Sequence, residues 1–384
     1  MPCSALVTCP GLVMITPPER SRVIAVAQAD DAASDTPEYR MPAEWEPHAG
    51  TWLSWLHNRE TWPGCFEEAQ TAMVAAAAAL AEGEPLRINV LDAQHQSIVG
   101  KLLDGRVPRE QLNFHRIATN DAWIRDHGAI FVVRADADAG NTSGMRRALD
   151  FRFNAWGDKY PPFDLDDAVA ERMAAALGVP RVRSEIVLEG GSIDVNGTGA
   201  LLTTEQCLLN PNRNPGLVRS QVEEHLRCAF GVSAVIWLGA GIAGDDTDGH
   251  IDELTRFVAE RTVVTAVETN ADDPNYSALA ANRSALESVR IDDRPLAVVE
   301  LPMPTPLHYR GQRLPASYAN FYVANEVVLV PRFDDPADAA AASILADCFP
   351  GRRVVGIDCR ALVVGLGGLH CLTQQIPVAP DGLS

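Results

Sequence analysis

Apolar and polar positions along this chain fall into blocks that switch repeatedly between two periods. Short runs of β-branched and aliphatic residues predict strands at 86–91, 129–134, 193–195, 200–203, 235–238, 262–267, 297–301, 327–331 and 354–357. Between them, alanine, leucine and charged residues recur at helical spacing. They predict helices over 66–82, 165–177, 217–230, 276–289 and 336–348, often opened by a capping Asp, Ser or Pro. Strands alternating with helices point to an α/β fold. Loops beginning at Asn120, Leu188, Thr247, Ala316 and Gly367 follow one another at intervals of roughly 50–70 residues, the spacing of a repeated supersecondary unit. Each unit would bring one loop to a common centre, although the units share no obvious residue identity. No low-complexity linker interrupts the region after residue 41, so 41–380 is expected to form one domain.

Residues 1–40 carry scattered prolines and an acidic stretch (Asp30, Asp31, Asp35, Glu38) without the basic start and apolar core of a signal peptide. They are expected to be a disordered extension, or to lie upstream of a start at Met14 or Met41. The longest apolar runs, such as 73–80, are too short to cross a bilayer, so no membrane association is expected. A net charge of -19 without any Lys/Arg run argues against a nucleic-acid partner and is compatible with drawing in a small cation. The eight cysteines form no C-x-x-C pair and no Cys/His zinc spacing, so free thiols in a reducing cytoplasm are expected.

Candidate chemistry starts from GLGGLHC at 365–371, where glycines 367 and 368 let backbone approach a bound molecule closely and Cys371 stands where a nucleophile would. Upstream lie NDAWIRDHG at 120–128, LEGGSID at 188–194 and DDTDGHIDE at 245–253. Together they supply one thiol, a His-x-Asp pair and several carboxylates, a set suited to attack on a guanidinium-like carbon. Such a reaction needs carboxylates to fix a planar cation, a strong nucleophile, and a group that protonates departing ammonia. Asp126 and Asp252 are the expected clamp. Cys371 is the expected nucleophile, and His250 the acid and base. Glu189 is expected to orient His250 through the other ring nitrogen. His370 is ranked as structural, because neighbours in a strand point to opposite sides.

These motifs, with MPAEWEPHAGTWLSWLHNRETWPG at 41–64, NPNRNPG at 210–216 and ASYANFYVANEVVLVPRF at 316–333, resemble the agmatine deiminase and peptidylarginine deiminase-like family of the guanidino-group-modifying (pentein) superfamily. The resemblance covers about residues 41–378. It implies a five-bladed, pseudo-fivefold α/β propeller with a central active-site channel, chemistry through a covalent thiouronium, and neither cofactor nor metal. It also implies that Trp123 borders the guanidinium or its alkyl chain, that Asn320 stands near the reacting centre, and that the enzyme is a cytoplasmic homo-oligomer. Asp246 matches a position where agmatine deiminases carry an acidic residue, so a small cationic guanidine, agmatine first, is the implied substrate. Its product, N-carbamoylputrescine, would feed polyamine synthesis. The chain departs from the family's DTNGHVDN in having Asp248 and Glu253 in place of amides. Deimination of peptidyl arginine or another guanidine, and a catalytically silent amine-binding relative, are the alternatives.

Overall fold

The computed structural model describes residues 38–135 and 145–379; the expected N-terminal extension falls almost wholly outside the described residues. Five sheets share one construction: a first strand pairs antiparallel with a second, a helix crosses over, and a third strand returns parallel to the second. The first uses Ile130–Arg134, Arg146–Arg152, helix Val169–Leu177 and Arg181–Val187. The second uses Asp194–Val195, Ala200–Thr204, helix Arg219–Phe230 and Ala234–Leu238. Thr255–Ala259, Thr262–Val267, helix Tyr276–Glu287 and Ala297–Pro302 make the third. Tyr322–Val323, Val327–Arg332, helix Asp338–Cys348 and Arg353–Asp358 make the fourth. The fifth joins distant parts of the chain: Gln374–Pro377 pairs antiparallel with His48–Ser54, and helix Phe66–Leu80 leads to the parallel Leu86–Val90.

The second strand of the fourth unit is apolar along nearly its whole length because both faces are covered. Val327–Pro331 is buried throughout. The alanine-rich helix Phe66–Leu80 packs against this strand in the largest core cluster, which reaches Cys371 itself. Apolar support therefore extends directly beneath the candidate nucleophile.

Several strands escaped the hydrophobic pattern, His48–Ser54, Thr255–Ala259 and Gln374–Pro377 among them, and two others are highly charged. Arg146–Arg152 and Arg181–Val187 are rich in charge, yet they pair because the buried Asp150 accepts from Arg181 Nε at 2.5 Å and from Arg183 at 2.6 Å. The helix expected from 165 begins at Val169, since Asp166 and Asp167 instead accept backbone N–H bonds from Asn120 and Phe153. The helix Ala93–Leu103 was also unexpected; Asp92 caps it by accepting from the His95 N–H. Cys228, on an exposed position of its helix, is disulfide-bonded, a departure from free thiols throughout. Among the described residues, no helix is long and apolar enough to cross a membrane.

Candidate active site

Each of the five units presents its chemistry from the same place, the turn just before its first strand. Trp123 and Asp126 precede Ile130–Arg134, Glu189 precedes Asp194–Val195, and His250 and Asp252 precede Thr255–Ala259. Asn320 precedes Tyr322–Val323, and Cys371 precedes Gln374–Pro377. Trp123 heads a one-turn helix, Ile124–His127, so it and Asp126 share a face at i,i+3. Arg125 staples this turn to the cysteine turn: its N–H donates to the Cys371 carbonyl (3.1 Å) and its guanidinium to Gln375 (2.7 Å).

Gly191 marks the point of convergence. A Cβ there would lie 2.6 Å from His250 Nδ1, 2.9 Å from Asp126 Oδ1 and 3.0 Å from Asp252 Oδ2, so only glycine fits. Asp126 accepts from the Gly191 N–H (3.0 Å) and from Trp156 Nε1 (3.0 Å). Asp252 Oδ2 pairs with His370 Nδ1 at 2.7 Å, while its Oδ1 has no hydrogen-bond partner. Cys371 Sγ stands 3.8 Å from Asp252 Oδ2 and accepts from Asn320 Nδ2 at 3.3 Å. Gly367 and Gly368 pack so closely on Trp123 and Asn320 that a Cβ on either would sit 2.4 Å from its neighbour.

These groups are buried, and their mutual charges set their protonation. Burial pushes Asp126 up to about 6, with Asp252 and Glu189 adding to the rise and His250 opposing it. Burial alone would lower His250, but Asp126 (3.8 Å from Nδ1), Cys207 and Asp252 outweigh it, so the ring stays protonated well above its ordinary range. Asp252 is held below the usual carboxylate range against the effect of burial, by His370, His250 and Arg256. Cys371 is pushed well above the usual thiol range by burial, then by Asp252, Glu253 and Asp126. The site therefore holds a protonated thiol and an imidazolium beside the Asp126 and Asp252 carboxylates.

A cavity of about 620 Å³ opens over this cluster, lined by Cys371, Asp126, Trp123 and Gly367, and by Asp246 and Tyr160. Cys371 and Asp126 are each 5% exposed, whereas Tyr160 is 46% exposed, so the thiol lies deep and Asp246 and Tyr160 form the rim. Asp246 is not alone there: Tyr160 donates to its carboxylate, and Lys159 Nζ stands 3.4 Å from Oδ1.

One expectation and one reason need correction. Glu189 makes no hydrogen bond to His250: Arg213 Nε donates to Oε1 at 2.6 Å, while a Glu189 carboxylate oxygen stays within 4.8 Å of a His250 ring nitrogen. Asp245 adds no open charge, because its oxygens accept from the Thr247, Gly249 and His250 N–H groups and fix the histidine turn. His370 is structural, bridging Asp252 and Glu44 (2.8 Å), but it lies in a turn, so strand alternation is not the reason.

Several residues had no assigned role in the sequence reading. Glu44, in the MPAEWEPH segment, accepts from His370, Arg125 and Arg256 and the Val323 N–H, anchoring the clamp from behind. Trp156 and Lys159 sit in the segment FNAWGDKYPP, an aromatic-rich loop outside any periodic element, which was the available signal. Two buried groupings have ligand-type atoms within 4.8 Å of one another, Glu189–Cys207–His250 and Asp252–Glu253–Cys371; both share residues with the thiol chemistry.

A fold of repeated α/β units that gathers a thiol, an imidazolium and paired carboxylates under one cavity defines a hydrolase built for guanidinium groups. The sequence profile of Porphyromonas-type peptidyl-arginine deiminases matches residues 40–377, and the chain belongs to this agmatine and peptidyl-arginine deiminase family. It is 40% identical over 368 residues to the agmatine deiminase of Ectopseudomonas mendocina, covering 90% of this chain and 96% of that one. The agmatine deiminase structure from Enterococcus faecalis superposes with a TM-score of 0.81 at 31% identity, covering 88% and 96% of the two chains. The substrate-bound agmatine deiminase of C. jejuni gives a TM-score of 0.79 at 32% identity, again covering 88% of this chain and 96% of that one.

Proposed function

We propose that this enzyme hydrolyses agmatine to N-carbamoylputrescine and ammonia through a thiouronium on Cys371. The observation that carries the reading is the convergence of Asp126, His250 and Asp252 on one point beside the Cys371 thiol, beneath a cavity with Asp246 at its rim. The guanidinium docks between Asp126 and Asp252, with Trp123 along its face. Its positive charge offsets the carboxylates that hold the thiol protonated, so the thiol gives its proton to solvent water and Sγ attacks the guanidino carbon. His250 gives its proton to the departing nitrogen, which leaves as ammonia. Neutral His250 then takes a proton from water as that water attacks the thiouronium. Collapse breaks the C–S bond, the departing Cys371 sulfur takes the remaining hydroxyl proton, and the ureido product is left. Asn320 steadies the sulfur, and Glu189 acts on His250 through the field of its charge.

The five repeated units and their five converging turns support a pseudo-fivefold propeller in a single domain over 41–380, and the agmatine reading makes it a cytoplasmic enzyme of polyamine synthesis. The depth of Cys371 favours a small guanidine over a folded protein's arginine. Ammonia release from agmatine, arginine, a blocked arginine peptide and arcaine tests the reading; faster turnover of the peptide than of agmatine would overturn it.

Asp246→Asn is expected to raise KM for agmatine while barely changing KM for butylguanidine, which lacks the distal amine. Because the Asp246 side chain is 45% exposed, solvent screening limits the effect to roughly three- to thirtyfold. An equal rise for both substrates would instead make Asp246 a support of the histidine turn. Dialysis against EDTA is expected to leave turnover intact, since every step above uses side chains of this chain. Activity lost to the chelator and restored by zinc would contradict that.

A further inference from the structure

The loop over the site carries a cation of its own. Residues 155–158 have φ of 50°, 57°, 90° and 61°, four consecutive left-handed positions of which only one is glycine. Such backbone persists only where its surroundings fix it. Here Asn154 and Asn212 do so: Asn154 Oδ1 accepts from the Gly157 N–H and Asn154 Nδ2 donates to the Asn212 carbonyl, both at 2.9 Å. The turn delivers two contacts to the anionic site at once. Trp156 donates to Asp126, and Lys159 Nζ donates to the Asp246 carbonyl (2.6 Å) and to Asp248 Oδ1 (2.9 Å), 3.4 Å from Asp246 Oδ1.

The two aspartates differ in what else they hold. Asp248 is already neutralised by Arg213 at 2.7 Å and bonded by Asn212 at 2.9 Å. At Asp246 the cation present is Lys159, and Tyr160 supplies a neutral hydroxyl. A distal ammonium arriving at Asp246 would meet a carboxylate already paired and would stand beside a second positive charge.

We infer that Lys159 is a specificity-determining residue, an internal cation that holds Asp246 in the free enzyme and competes with the distal cation of the substrate. The inference rests on the agmatine reading. Binding of the tail is then weaker than a free Asp246 would give, and the penalty falls only on substrates with a distal positive charge. Removing the lysine's charge should strengthen agmatine binding selectively, the opposite of what loss of a substrate contact would do.

The test compares KM for agmatine and butylguanidine in the wild type, Lys159→Met, Lys159→Gln and Lys159→Arg. The glutamine variant removes charge but keeps a donor for the Asp246 carbonyl, so it guards against loss of the turn in the methionine variant. Loss of charge is expected to lower KM for agmatine roughly three- to tenfold while butylguanidine stays within about twofold, with Lys159→Arg near wild type. Calorimetric Kd values for the same ligands in the Cys371→Ala background should move in parallel. Unchanged KM for agmatine in both neutral variants, or an equal rise for both guanidines, would overturn the inference. Wild-type enzyme that fails to turn over agmatine would overturn the underlying reading and this inference with it, a result visible before any variant is made.

Discussion

Cys371→Ala is expected to lose turnover by more than about a thousandfold, because splitting one difficult displacement into two through a nucleophile is worth at least that much. Folding and substrate binding should survive. The substitution removes a single buried sulfur whose long contact to Asp252 is 3.8 Å, and the clamp carboxylates Asp126 and Asp252 keep their shorter bonds from Gly191, Trp156 and His370. The thiol's chemistry in the empty site gives a second signature. Burial and the charges of Asp252, Glu253 and Asp126 push it well above its ordinary range, so a neutral alkylating reagent should react slowly at pH 7. Its rate should climb with pH as the thiolate form grows in. A haloacetamidine, whose amidinium can take the place of the substrate cation between the carboxylates, should react far faster and label Cys371 alone among the eight cysteines. Ureido product from Cys371→Ala above about a thousandth of the wild-type rate would reject this nucleophile.

How much of this was readable beforehand depended on which forces each residue answers to. Strands such as Thr262–Val267 appear at their expected bounds because apolar burial alone specifies them. Arg146–Arg152 did not, because its place rests on Asp150 meeting two arginines more than thirty residues away, a pairing no local period reveals. The same divide runs through the site. Cys371, His250, Asp126 and Asp252 were singled out because their residue types in their turns match one chemistry. Glu44 and Trp156 were not, since a glutamate and a tryptophan acquire meaning only when His370 and Asp126 are found beside them. The partner of Glu189 was misjudged for a related reason: Arg213 lies in another turn, and a buried guanidinium outcompetes an imidazole for a carboxylate.

Asp252→Asn should separate the two things this carboxylate does, and they have opposite signs. As half of the clamp, Asp252 offers a buried, ionised oxygen pair, with Oδ1 open for an N–H of the guanidinium. Replacing it leaves a buried substrate cation short of its counter-charge, a loss typically on the order of 2–5 kcal/mol, so kcat/KM should fall by roughly thirtyfold or more. Asp126→Asn should do similar damage, compounded by the loss of the charge that keeps His250 protonated. Yet Asp252 is also the largest nearby charge that raises the Cys371 thiol, standing 3.8 Å from Sγ. Without that charge the thiol pKa must fall, since the thiolate no longer faces the same repulsion. The neutral reagent should therefore alkylate Asp252→Asn faster than wild type at pH 7, even as agmatine turnover collapses. Faster alkylation at the other buried thiols as well, or a loss of thermal stability, would instead mark a loosened structure. Slower alkylation at Cys371 together with lost turnover would show that Asp252 supports the turn instead of facing the substrate, and the clamp would have to be sought elsewhere.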